Sequence, residues 1–98
     1  MVQPHAVTPP PTSIIVGVDT HKYVHVAVAI DRLGTRLGAC SVSADRAGYA
    51  KLVAWAHGLG PVEAFGIEGT GSYGVGLASY VRRQPLRVVE VSHCDRRK

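Results

Sequence analysis

The sequence predicts one small α/β domain, a mixed sheet with helices packed against it. Apolar runs follow the order strand, strand, strand, helix, strand, helix, strand. The first three strands are joined by connections so short that hairpins are the natural links. At 98 residues, 46% hydrophobic and 18% charged, the chain suffices for a single two-layer core and no more.

Residues 1–12 carry four prolines, which remove backbone donors and fix φ. A disordered, extended tail is expected there, with the domain proper at residues 13–98. The first strand, Ile14 to Asp19, shows no polar alternation, which predicts burial on both faces in the centre of a sheet. Tyr23 to Ile30 is the second strand. Asp31-Arg32-Leu33-Gly34 has the composition of a turn. Thr35 to Val42, with Arg36, Gly38 and Ser41, suits an edge strand. Ser43-Ala44-Asp45 offers capping side chains for a helix. Within it Tyr49, Leu52, Val53 and Ala56 form one apolar stripe, with Trp55 at its margin. Gly58, Gly60 and Pro61 should stop that helix. Val62 to Glu68 is the fourth strand. A second helix should start near Ser72 or Tyr73, with Tyr73, Leu77, Tyr80 and Val81 on one side. Gln84-Pro85 ends it, and Leu86 to Val91 is the fifth strand.

Three hairpin-linked strands followed by alternating helix and strand place strand four parallel beside strand one. The resulting order, 3-2-1-4-5, is that of a ribonuclease H-like mixed sheet.

The net charge of +4 and pI of about 9.4 lean toward an anionic partner, although many soluble domains are equally basic. Cys40 and Cys94 have no partner spacing, so neither a disulfide framework nor a zinc site is indicated and a cytoplasmic location is the default. No apolar run approaches the roughly 20 residues of a membrane helix, and the N-terminus lacks a signal-peptide pattern.

The chemistry-bearing residues cluster at two strand ends. Ile14-Ile15-Val16-Gly17-Val18-Asp19 is followed by Thr20-His21-Lys22, and Phe65-Gly66-Ile67-Glu68 by Gly69-Thr70-Gly71-Ser72-Tyr73-Gly74. With strands one and four adjacent, Asp19 and Glu68 would project into one crevice. Two neighbouring carboxylates repel unless a cation lies between them, and Mg²⁺ takes such oxygen ligands. A pair of metals roughly 4 Å apart can serve phosphodiester chemistry. A turn-forming Asp and a solvated Glu are the plainer readings.

His21 and Lys22, beside Asp19, could contact phosphate or merely occupy a hairpin turn. Ser72 and Tyr73 could lie near a scissile phosphate; helix capping and core packing are the alternatives. Arg82, Arg83, Arg87, Arg96, Arg97 and Lys98 make a basic C-terminal third suited to backbone phosphates or to solvent. His5, His25, His57 and His93 show no ligand spacing.

Gly69-Thr70-Gly71-Ser72-Tyr73-Gly74 also matches G-x-G-x-x-G between a strand and a helix, with Glu90 where a dinucleotide fold places its ribose acid. Against nucleotide binding, Glu68 would set a carboxylate beside the pyrophosphate, and a three-stranded meander precedes the motif. An actin-like phosphotransferase shares the meander, but Thr20-His21-Lys22-Tyr23 lacks its glycines.

Val16-Gly17-Val18-Asp19-Thr20-His21-Lys22, Gly66-Ile67-Glu68-Gly69-Thr70-Gly71-Ser72-Tyr73-Gly74 and Val88-Val89-Glu90-Val91 together resemble the N-terminal catalytic domain of the IS one-ten insertion-sequence transposases. The resemblance implies a resolvase-like D-E-D-D metal site, Mg²⁺ as cofactor, and DNA cleavage and rejoining in transposition. It implies DNA and a structured guide RNA as partners, with homo-oligomers or association with full-length transposase. Asp19 matches the first acid and Glu68 the second. The last two acids and a C-terminal serine domain of the family have no counterpart here, and Asp95 is not assigned that role. A truncated, inactive fragment is therefore the expectation, with weak or absent Mg²⁺ binding. The alternative is a non-catalytic remnant that binds nucleic acid or transposase subunits.

Overall fold

A computed structural model describes residues 12–91. The expected tail is thus almost wholly outside the described residues, as are His5, His93, Cys94, Asp95, Arg96, Arg97 and Lys98. The elements run β1 (Ile14–Thr20), β2 (Val24–Asp31), β3 (Arg36–Ser43), α1 (Arg46–Leu59), β4 (Val62–Glu68), α2 (Val75–Arg83) and β5 (Val88–Val91). They form one five-stranded sheet of order β3-β2-β1-β4-β5. β1 pairs antiparallel with β2, β2 antiparallel with β3, β1 parallel with β4, and β4 parallel with β5. This is the ribonuclease H-like order predicted above.

Local chemistry explains the turns. The Asp31 carboxylate accepts from the Leu33 and Thr35 amides, both at 2.9 Å, while Gly34 takes a left-handed φ of 88°. That Asx-type turn fixes the β2–β3 register. Asp45 caps α1 by accepting from the Gly48 amide at 2.8 Å, with Ser43 Oγ donating to the same carboxylate oxygen at 2.7 Å. These bonds hold the Asp45 carboxyl below its ordinary pKa, the Gly48 amide contributing most.

Both helices pack on one face of the sheet. Ile14, Val16 and Val18 of β1, Ala27 and Ala29 of β2, and Phe65 and Ile67 of β4 meet Leu52, Val53 and Ala56 of α1 and Leu77, Ala78 and Val81 of α2. Each large, fully buried side chain, such as Phe65, Leu52 or Leu77, contributes about 1.5–3 kcal/mol by leaving water. Trp55 lies over β3, where a Cβ on Gly38 would approach its ring to 3.6 Å.

Five expectations need correction. β1 is buried on one face only: its pattern alternates, with Gly17 and Asp19 exposed and Ile15 half-buried. Runs of Val, Ile and Ala do not reveal which face the helices will cover. Gly58 lies inside α1, which ends at Leu59 with Gly60 beyond it. α2 starts at Val75 with Gly74 as N-cap, so Ser72 is not its cap. Tyr73, 56% exposed, is not part of its apolar side. β5 begins at Val88 instead of Leu86, because Gln84 to Arg87 complete the descent from α2.

Candidate metal centre

The last registered pair between β1 and β4 is Val18 opposite Ile67. One residue further, Asp19 and Glu68 leave neighbouring parallel strands at the same end, on the face without helices. Side chains alternate between faces, so Ile15, Gly17 and Asp19 share that face with Gly66 and Glu68. With Val26, Val28 and Val91 these residues line an open depression of about 500 Å³. Gly17 and Gly66 are registered partners and form its floor. A Cβ added to Gly17 would meet nothing within 4 Å, so this glycine leaves space in the depression without any packing demand. The Asp19 side chain is 60% exposed and Glu68 half-buried.

Local bonds hold the two strand ends together. Thr20 Oγ1 donates to the Glu68 carbonyl at 3.0 Å, linking the residue after one acid to the backbone of the other. Gly69 follows with φ 65°, where a Cβ would lie 2.9 Å from Thr20 Oγ1 and 3.2 Å from Ser72 Oγ. A left-handed φ and this close approach both require glycine. His21 Nε2 lies 3.1 Å from Asp19 Oδ2, and the His21 amide donates to His25 Nδ1 at 3.3 Å. Lys22 is exposed beside this turn, its ammonium 5.2 Å from the Tyr23 ring centroid.

His25 was expected only to lack ligand spacing. It is fully buried and stacked on Tyr49 with centroids 6.0 Å apart and planes 5° from parallel. With Nδ1 accepting, Nε2 is assigned the proton, and that donor has no partner among the described residues. Desolvation chiefly, with the nearby His21 adding to it, lowers the pKa of His25 below the ordinary 6.5.

The other sequence candidates divide. Ser72 and Tyr73 stay at the end of the sheet that carries the acids, in the exposed turns after β4, with Ser72 Oγ donating to the Gly69 carbonyl at 3.4 Å. Arg82 and Arg83 end α2, which runs back from the end of β4 to the start of β5 and so carries them to the opposite end. Among the described residues no group of three or more His, Cys, Asp and Glu could hold a metal ion. The arrangement therefore supplies two carboxylates, with His21 beside one of them.

The glycine-rich turn is bonded largely to itself. The Ser72 and Gly74 amides both donate to the Gly69 carbonyl, at 2.9 and 2.7 Å, and the Val75 amide donates to Ser72. A Cβ on Gly74 would sit 2.5 Å from the Glu68 carbonyl, so that glycine serves close folding of the turn over β4. The Thr70 hydroxyl donates to the Glu90 carboxylate, which ties the turn to β5. Thr20 entered the sequence reading only as the residue after Asp19 and was given no role, because a hydroxyl one residue past an acid is too common to single out.

Among curated proteins nothing matches this chain. Among solved structures, a chain from a simian T-cell lymphotropic virus intasome in complex with PP2A regulatory subunit B56 gamma aligns with TM-score 0.48 and 12% identity over 93% of this chain. The present chain spans 38% of the length of that one, and the fold rests on the strand order above. A family model described as a transposase, DEDD_Tnp_IS110, matches residues 16–98, and the chain belongs to that family, the DEDD-type IS one-ten transposases.

Proposed function

We propose that this chain provides the nucleic-acid-facing metal centre of a DNA transposase, with Asp19 and Glu68 as its Mg²⁺ ligands. The observation that carries this reading is the joint exit of two carboxylates from the adjacent parallel strands β1 and β4 into one open depression. Their donor chemistry fits a hard dication, which takes oxygen ligands and retains several waters. Two carboxylates alone make a weak site, as the lack of a third candidate ligand among the described residues indicates.

A bound Mg²⁺ supplies Lewis acidity and lowers the pKa of a water or hydroxyl nucleophile. The chain's own residues set the stage for it. Asp19 is oriented by its contact with His21, and Glu68 by the Thr20 bond to its backbone. Lys22, with Ser72 and Tyr73 in the facing turn, would meet the phosphates of DNA or of a structured RNA. Strand cleavage and rejoining in transposition, and association with further transposase subunits, belong to this proposal.

Branched DNA provides the test. Mg²⁺ ordinarily weakens protein–DNA binding by screening phosphates. Here the affinity for a labelled four-way junction, read by fluorescence anisotropy, should instead rise several-fold from EDTA to Mg²⁺. Asp19→Asn and Glu68→Gln should each abolish that rise. Gly17→Leu, whose Cβ would meet nothing within 4 Å and whose branch would enter the depression, should abolish it at unchanged Tm. Junction binding with no Mg²⁺ enhancement would overturn the metal-centre reading. It would favour the second one, a non-catalytic nucleic-acid-binding unit, to which the two-ligand count lends support.

A further inference from the structure

A second concavity lies on the opposite, helical side of the sheet. It is an open groove of about 330 Å³ between α1 and α2, lined by Arg46 and Tyr49 on one side and Gly76, Ser79, Tyr80 and Arg83 on the other. From Gly76 to Arg83 the helix rises about 10 Å, so the groove follows one stripe of α2 along most of its length.

Its electrostatics are one-sided. No carboxylate lines it, and among the described residues neither Arg46 nor Arg83 has an acidic partner. α1 starts at Arg46 and α2 one residue before Gly76, so the positive ends of two helix dipoles meet here. Neither first turn carries an acid, and α2 has no side-chain cap. The Asp45 carboxylate already compensates the start of α1, so it is the two guanidinium groups and the uncapped start of α2 that favour an anion.

The walls are aromatic. Tyr49 is supported from behind by the buried His25 and packs against Tyr80 with centroids 5.8 Å apart. Its hydroxyl reaches the first turn of α2, where only the absence of a side chain on Gly76 leaves room: a Cβ there would lie 2.5 Å from it. That hydroxyl has no hydrogen-bond partner among the described residues, so it can donate to a ligand. Guanidinium groups that take phosphates, together with aromatic faces that take bases, are the elements of single-strand recognition.

We propose that the α1/α2 groove binds a single nucleic-acid strand, with phosphates at Arg46 and Arg83 and a base against the tyrosines. This rests on the nucleic-acid reading above and adds to it a contact on the other side of the sheet from Asp19 and Glu68.

The test uses the full chain with labelled oligo-dT and oligo-rU across a salt series. The Arg46→Gln/Arg83→Gln double variant should bind at least about tenfold more weakly at low salt. Its log–log salt slope should be shallower by about 1.4, because each single-strand phosphate contact contributes about 0.7. Ser79→Asp, which places a carboxylate on the exposed wall, should also lose binding while its Tm is unchanged. Binding of either strand that the double variant loses supports the groove, and a preference between them identifies DNA or RNA as the source. Unchanged affinity and slope in the double variant would overturn the proposal while leaving the Mg²⁺ response of junction binding intact. A wild-type chain that binds neither strand would overturn it as well, and the junction experiment would then show whether the metal-centre reading survives.

Discussion

Buried between β2 and the aromatic pair of α1 and α2, the His25 imidazole is held neutral. Its folded pKa lies below the ordinary 6.5, chiefly through desolvation, so below that pH the unfolded chain binds a proton more readily than the fold does. Stability is therefore full above about pH 6.5 and falls as pH drops toward the folded value. A melting series from neutral to mildly acidic pH should show this loss in the wild-type chain. His25→Phe keeps an aromatic ring against Tyr49 and removes the unpaired Nε2 donor, whose burial costs about 1–3 kcal/mol. It should flatten the slope and raise Tm at acidic pH; an identical slope in both proteins would show that another group titrates. The sequence offered no sign of this role, because a histidine in a strand declares its burial only once α1 is laid over it. Asp19 and Glu68 were legible at the same scale because an acid that ends an apolar run is visible without any packing.

Secondary elements were read from periodicity and punctuation, and their errors share a cause. α2 was expected one turn early because the bonds of Ser72 and Gly74 back to the Gly69 carbonyl extend the turn, which composition does not show. The two-sided burial expected for β1 failed because the faces become unequal only when both helices cross on one side. The start of α1 gives a test at this scale. Gly48 lies in its first turn, and a Cβ there would collide with the Ser43 carbonyl. Helix propensity alone favours alanine over glycine by about 1 kcal/mol. Overpacking typically costs about 1–3 kcal/mol, and here the obstacle is backbone that also carries the Asp45 cap. Gly48→Ala should therefore lower Tm by several degrees, against the propensity trend. A raised Tm would mean that the turn before α1 relaxes freely.

At the scale of the molecule, the β3-β2-β1-β4-β5 order gathers the ends of β1 and β4 and the starts of α1 and α2 at one end of the domain. One face there carries Asp19 and Glu68, and on the other the groove begins at Arg46 and runs along α2 to Arg83. Sheet order was deducible from connection lengths, so the proximity of Asp19 and Glu68 could be inferred before any coordinates. The groove could not, because Arg46 and Tyr49 meet Gly76 to Arg83 only through helix packing, and no spacing in the sequence links them. Among the described residues no helix is long and apolar enough to cross a membrane.

The shared carboxylate site is tested most directly with Mn²⁺, a paramagnetic probe that accepts the same oxygen ligands as Mg²⁺. In a titration followed by amide NMR, the Thr20 and Gly69 signals should broaden together and first. Asp19→Asn or Glu68→Gln alone should remove the effect at both positions. Broadening centred elsewhere, or broadening that survives in each single variant, would contradict a cation site held jointly by Asp19 and Glu68.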